Sequence, residues 1–288
     1  MTNRQRPTRW WAELLLLGLV YGAYSGGRLL VRGDVALATE HGLAILRVEG
    51  PLGIDFERPL NRLFSETDWL GIPADFIYAS LHYLFTPAVL LWMYYRRPRH
   101  YIAARTWLVA STLLGLVGFS LMPTCPPRLL DAAHGFTDTM AQYSAYGWWG
   151  AEASAPRGLG ALTNQYAAMP SLHVGWALWC GVLLWTHGRR PLLKALGIAY
   201  PAVTTLVVMG TANHYFLDAA AGAAVMGAGF LATRTLLTRT LLTRGFGTGA
   251  AGFRRKSTIV SGGWDTSARE LLPAQRPSAD DDTAAAAR

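Results

Sequence analysis

His214 and Asp218 stand four positions apart, a spacing that on a helix brings both side chains to one face within reach of each other. They belong to Asn213-His214-Tyr215-Phe216-Leu217-Asp218, a polar opening to an apolar segment. A second polar interruption, Met169-Pro170-Ser171-Leu172-His173, is also followed by an apolar run. A carboxylate one turn into an apolar helix is costly, on the order of 2.5–3.5 kcal/mol at a bilayer centre, so Asp218 needs a partner. The imidazole of His214 fits: an Asp that accepts from Nδ1–H leaves Nε2 unprotonated and pointed at a substrate. His173 supplies a second acid–base group. Pro170 begins or kinks the segment behind it, Ser171 is placed to cap it, and the free N–H groups of a helix start make an anion site. Arg128, in Cys125-Pro126-Pro127-Arg128, adds a forked guanidinium suited to phosphate. The chemistry described is phosphoryl transfer, with His214, His173 and Asp218 as the catalytic set and Arg128 and Ser171 on the phosphate.

Groups from separate stretches need a scaffold to bring them together, and the composition indicates which kind. Of 288 residues, 51% are apolar and 15% charged, with a mean hydropathy of +0.20, too greasy for a soluble domain of this length. Six segments have the length, roughly 17–22 residues, that crosses the hydrocarbon core. They are Trp11–Leu30, Phe76–Tyr95, Thr106–Met122, Tyr166–His187, Pro191–Gly210 and His214–Thr233. The expected fold class is all-α, a polytopic six-transmembrane-helix bundle. Trp10, Trp11, Trp92, Tyr94, Tyr95, Trp107 and Tyr166 lie near the proposed boundaries, as interfacial belts do.

Basic residues orient the bundle. With a cytoplasmic N-terminus, the dense clusters at 4–9, 96–105 and 189–194 fall inside. Arg28, Arg32, Arg47, Arg58, Arg62, Arg128 and Arg157 are spread over two long outer loops. Both polar interruptions then open on the extracytoplasmic face of a plasma-membrane protein whose two termini are cytoplasmic. This orientation accounts for the net charge of +8, and nucleic acid is not an expected partner. The first apolar stretch also has the form of a secretory signal, with small residues at 23–27 behind it; retention as the first span is the preferred reading. Cys125 and Cys180 are too few for a disulfide framework or a thiolate metal site.

Three regions follow: a short cytoplasmic N-terminus (1–10), a membrane domain (11–237) and a tail (238–288) whose Gly, Thr, Ser, Ala and Asp content predicts disorder. Residues 35–68 mix apolar and charged positions at a spacing suited to a helix lying in the outer interface. The outer loop at 123–165 is long enough to wall a substrate site. The small-residue run from Ala219 to Gly229 predicts that the last helix approaches its neighbours closely, bringing His214 toward His173.

Pro170-Ser171-Leu172-His173 and His214-x-x-x-Asp218 resemble the second and third motifs of the type 2 phosphatidic acid phosphatase superfamily. The wider strings Asn164-Gln165-Tyr166-Ala167-Ala168-Met169-Pro170-Ser171-Leu172-His173 and Pro126-Pro127-Arg128 look more like its inositolphosphotransferase-type branch, related to fungal inositol phosphorylceramide synthases. The resemblance covers about residues 105–235. It implies that His214 is the nucleophile and passes through a phosphohistidine, that Asp218 orients it, that His173 protonates the leaving oxygen, and that no metal is required. Some positions depart from the pattern. Arg58-Pro59 has Pro51 where the first phosphatase motif has Lys, Val207-Val208 stands where a Ser-Arg pair is expected, and Leu172 replaces a Gly. Fewer cations then surround the phosphate, and Arg128 carries more of the load.

No cofactor is expected, and a zinc site built from His173, His214 and Asp218 lacks an obvious supporting set. The expected partner is a membrane lipid substrate. Water as acceptor gives a phosphatase, and an alcohol such as inositol or a lipid hydroxyl gives a transferase. No oligomeric state is assigned. The competing class is a non-catalytic lipid-phosphate binding or transport protein, and vanadate-type oxidation chemistry is a more distant one. His82, His134 and His187 have no motif around them and read as structural; Asn213 and Tyr215 read as packing, Arg157 as solvated.

Overall fold

The computed structural model describes residues 9–30, 34–150, 157–158 and 164–246. Among them the regular elements are helices: α1 (Trp10–Leu30), α2 (Val35–Leu52), α3 (Glu57–Ser65), α4 (Asp68–Arg96), α5 (Pro98–Leu121), α6 (Thr139–Gln142), α7 (Leu172–His187), α8 (Pro191–Gly210) and α9 (Phe216–Phe246). Two 3₁₀ turns, Pro127–Leu129 and Ala132–His134, follow α5. By length and composition α4, α5, α8 and the Phe216–Thr238 part of α9 are able to cross a membrane.

Local chemistry sets the helix ends. Asp34 caps α2, its Oδ1 accepting from the Ala36 N–H at 2.8 Å. Pro98 and Pro191 occupy the first positions of α5 and α8, where a missing N–H costs nothing. Gly53 closes α2 in the left-handed region at φ 66°. There the single interfacial helix expected over 35–68 breaks into α2 and α3.

Two predicted spans begin later than expected. The stretch 166–171 ahead of α7 is not helical, so the segment predicted from Tyr166 starts as a helix only at Leu172. This stretch contains a cis Met169–Pro170 peptide and pairs with the chain after α5, where the Thr124 N–H donates to the Tyr166 carbonyl at 2.7 Å. The last segment becomes helical at Phe216, two residues beyond His214, and runs past Thr233 to Phe246. The expected disordered tail lies outside the described residues from 247 onward, as do residues 1–8 of the N-terminus and residues 151–156 and 159–163 of the outer loop.

The core forms around α7, which packs on α4, α5, α8 and α9. Trp179 and Leu183 of α7 are fully buried with Met93 of α4, and the Trp179 indole donates to the Ala104 carbonyl at 3.0 Å. Trp107, expected at a membrane boundary, is instead a core residue whose indole donates to the Met226 carbonyl at 2.7 Å. A buried tryptophan needs such an acceptor for its N–H.

At the other end of the bundle, α2 and α3 lie over the loops that join the long helices. The inward stripe of α2 is Ala38, Gly42, Ile45 and Glu49, and that of α3 is Glu57, Asn61 and Phe64; both follow helical periodicity. Gly42 allows a close approach, since a Cβ there would stand 2.6 Å from the Tyr215 hydroxyl and 2.7 Å from the Cys125 carbonyl oxygen. Asn61 ties α3 down, its amide donating to Gly210 O at 3.0 Å and Thr137 O at 2.9 Å and accepting from the Thr137 N–H at 2.8 Å.

Candidate active site

His214 is aimed by the turn that ends α8. The chain reverses at Ala212, a non-glycine residue in the left-handed region at φ 53°. The N–H groups of Asn213 and His214 both return to the Val208 carbonyl, at 3.0 and 3.1 Å. Such a backbone conformation is uncommon outside glycine. Asp218 sits in the first turn of α9, fully buried. Its Oδ2 accepts from the Tyr215 N–H at 3.0 Å and faces His214 Nδ1 at 3.3 Å. The predicted pair therefore meets, although across the start of the helix rather than along its surface, because His214 precedes α9.

His173 is the second residue of α7. Ser171 caps this helix, its Oγ accepting from the Val174 N–H at 3.5 Å, and the Ser171 N–H donates to the Asp218 carbonyl at 2.9 Å. That backbone bond joins the two motifs directly. Gly222 makes the contact sterically feasible, since a Cβ there would collide with the Ser171 carbonyl. The His173 and His214 rings lie 5.8 Å apart between centroids at 62°.

On its other side His173 stacks on Tyr78 at 4.7 Å and meets the edge of His82 at 4.4 Å. His82, read from the sequence as structural, thus forms part of the wall behind His173. A small cavity of about 10 Å³ in the same wall is lined by His82, His173, Tyr200, Thr204, Val207 and Val208, among others. Val207 and Val208, at the positions where the resemblance led us to expect a Ser-Arg pair, border the same cavity as His173.

Arg128 is buried beside the turn that carries His214. Its Nε donates to Asn213 Oδ1 at 3.0 Å, Nη1 pairs with Asp138 Oδ2 at 2.8 Å, and Nη2 donates to Gln165 Oε1 at 3.1 Å. Its backbone N–H donates to the Ala212 carbonyl at 2.9 Å. The guanidinium expected on phosphate is thus also the brace of the turn. Asn213, read as packing, is the link, and its amide donates onward to Thr211 O and Oγ1 at 3.2 and 3.0 Å. The thiol of Cys125 is pushed up to about 11 by burial, which keeps it a thiol at neutral pH.

Two residues near the site were missing from the sequence reading. The N–H of Leu217 donates to Glu49 Oε1 at 2.6 Å, and that of Phe216 to Glu57 Oε2 at 3.4 Å. Glu49 was legible in one respect: it falls on the apolar stripe 38-42-45-49, where a carboxylate has no reason to be unless something inside receives it. Among the described residues, no three His, Cys, Asp or Glu side chains are grouped to hold a metal ion.

The arrangement presents an imidazole backed by a buried carboxylate, facing a second imidazole at the start of a helix. Such a set is able to attack an electrophilic centre from one side and deliver a proton to what leaves. No curated protein and no solved structure matches the chain significantly. A family model described as the PAP2 superfamily matches residues 43–232, a region that runs from the middle of α2 through most of α9 and takes in every residue placed above at the two histidines. The chain belongs to the PAP2 superfamily, the phosphatase and phosphotransferase superfamily that its two motifs resemble.

Proposed function

We propose that this protein transfers a phosphoryl or headgroup-phosphoryl unit from an amphiphilic phosphoester, a phospholipid or polyprenyl-type phosphate, through a covalent histidine intermediate. The observation that carries the proposal is the approach of the His173 and His214 rings, 5.8 Å between centroids, with Asp218 behind Nδ1 of His214. Asp218 accepts from Nδ1–H and so leaves the lone pair on Nε2. Nε2 attacks phosphorus, an N–P bond forms, the P–O ester bond breaks, and His173 protonates the departing oxygen. In the second half, water or an alcohol attacks phosphorus, His173 takes its proton, and the N–P bond breaks. Splitting the transfer in this way replaces one hard step with two easier ones, and a placed acid contributes about 10²–10⁴-fold.

Ser171, at the capped start of α7, and Arg128, with one hydrogen on each terminal nitrogen beyond the three contacts above, form the proposed phosphate cradle. The inositolphosphotransferase-like strings favour an alcohol acceptor such as inositol or a lipid hydroxyl over water. α1 and α7 complete six spans with the four long apolar helices. Basic clustering at 96–105 and 189–194 supports cytoplasmic termini and an extracytoplasmic site, with α2 and α3 in the outer interface of the plasma membrane. An open cleft of about 820 Å³ against α2 sets the apolar Leu43 and Leu46 beside Arg47, Arg58 and one acid, Glu40, a lining whose two guanidinium groups suit an anionic amphiphile.

Purified protein given a panel of phospholipids and polyprenyl phosphates, with and without inositol, tests the reading. Phosphate release or headgroup transfer by the wild type, and neither by His214→Ala, is expected. Binding of the lipids with no turnover by the wild type would instead identify a lipid-phosphate binding protein.

A further inference from the structure

Glu49 and Glu57 have no part in the steps above, yet both are fully buried directly beneath them. Glu49 comes from the inward stripe of α2 and Glu57 from that of α3. Their targets are successive: the N–H groups of Tyr215, Phe216 and Leu217 go to Asp218, Glu57 and Glu49, at 3.0, 3.4 and 2.6 Å. Three carboxyl groups thus share the three N–H groups that open α9, where a helix leaves its donors unsatisfied. The two N–H groups they hold are adjacent in the chain, so the two carboxyl groups meet at the same opening of α9. Their remaining oxygens, Glu49 Oε2 and Glu57 Oε1, have no other donor among the described residues. Two ionised carboxylates buried at one helix opening would repel, and a proton held by one of them removes that repulsion and supplies the missing donor.

We infer that Glu49 and Glu57 share a single proton and act as a positioning pair, clamping the first turn of α9, and with it Asp218 and His214, to the α2–α3 hairpin. The inference rests on the reading of His214 as nucleophile. The charged and titratable groups that face the pair are Asp55 from the α2–α3 link and Asp218 and Tyr215 at the start of α9. Asp55 is itself engaged with Arg58 at 3.9 Å. Among the described residues no Lys or Arg forms an ion pair with either glutamate, which leaves a proton to offset their charge. Burial, then the bond to Glu57, pushes Glu49 up to about 9, and burial pushes Glu57 up as well. The folded chain keeps a proton that the unfolded chain gives up above 4.5, so stability falls as pH rises from 4.5 to about 9. Above that pH the two carboxylates repel and the clamp loosens.

The test is kcat and KM against pH for the wild type, Glu49→Gln, Glu49→Ala and His214→Ala in lipid nanodiscs. Glutamine keeps the acceptor for the Leu217 N–H and a permanent donor to Glu57, so Glu49→Gln should hold kcat within about threefold at neutral pH. It should also shift or erase the loss of kcat expected of the wild type above pH 9. Glu49→Ala should lower kcat by about 10- to 100-fold, the effect of a displaced catalytic group, with KM little changed. An alkaline limb identical in the wild type and Glu49→Gln would overturn the inference, whether or not the alanine variant folds. An active His214→Ala protein would sink the nucleophile assignment and the pair's role with it. An inactive His214→Ala together with an unmoved limb would sink the pair alone.

Discussion

The bundle buries acids at both ends, and it treats them in opposite ways. At the end where α1 and α5 begin, Glu13 is neutralised completely: Arg105 Nη1 lies 2.7 Å from both of its oxygens, and the Tyr101 hydroxyl donates to Oε2 at 2.9 Å. At the histidine end, Asp218, Glu49 and Glu57 have no cation bonded to them, and one oxygen of each has no donor among the described residues outside the glutamate pair itself. Arg128, the buried guanidinium that braces the His214 turn, pairs with Asp138. A buried acid with a matched base is a strut, because removing either partner strands a charge. Buried acids facing only imidazoles, backbone N–H groups and each other keep their protons movable, and chemistry requires that.

Substitutions at the two ends should therefore fail differently. The largest effect is expected at His214: alanine there should remove at least about 10⁴-fold of kcat, since the covalent route is lost altogether, with the protein still inserted and folded. Asp218→Asn should follow, at about 10³–10⁴-fold, because an amide favours the wrong imidazole tautomer. His173→Ala should cost about 10²–10⁴-fold, and a fast leaving group should recover part of it. A thermal-melt assay run beside turnover would show all three melting like the wild type; a collapse in stability at Asp218→Asn would erase the contrast between the two ends.

The reverse pattern is expected at the other end. Arg105→Ala strands the Glu13 carboxylate and should destabilise the protein by about 3 kcal/mol, while the folded fraction keeps its kcat. Smaller again is Gly222→Ala, where the new methyl group meets the Ser171 carbonyl and pushes α7 from α9, at about 1–3 kcal/mol of overpacking. Because that contact also joins the two motifs, its turnover should fall as well. A Gly222→Ala protein of normal activity would show that the Ser171–Asp218 backbone bond does not set the distance between the histidines.

How far the sequence could be read follows from the same physics. The His214–Asp218 and His173 motifs were legible because polar groups in apolar sequence demand partners, and the small-residue run from Ala219 onward announced a close contact that Gly222 realises. The start of α7 at Leu172 was not legible: Tyr166, Ala167 and Ala168 are as apolar as a helix, and the pairing of Thr124 with Tyr166 and Ala168, across some forty residues, together with the bond from the Tyr166 N–H to Asn164 Oδ1, holds them in another conformation. Arg128 was visible as a cation near the site, but its partners Asp138, Gln165 and Asn213 come from three separate stretches. His82 reaches His173 only through the packing of α4 on α7, and nothing local marks it.

The most direct test of the central claim is to quench the enzyme in mid-turnover with a phosphorus-labelled lipid substrate and map the label. The account predicts a phosphoprotein that is labile to acid and stable to base, with the label on His214, absent in His214→Ala and accumulating when His173 is replaced and the substrate carries a good leaving group. Turnover that proceeds with no labelled protein, or with the label on any other residue, would contradict it.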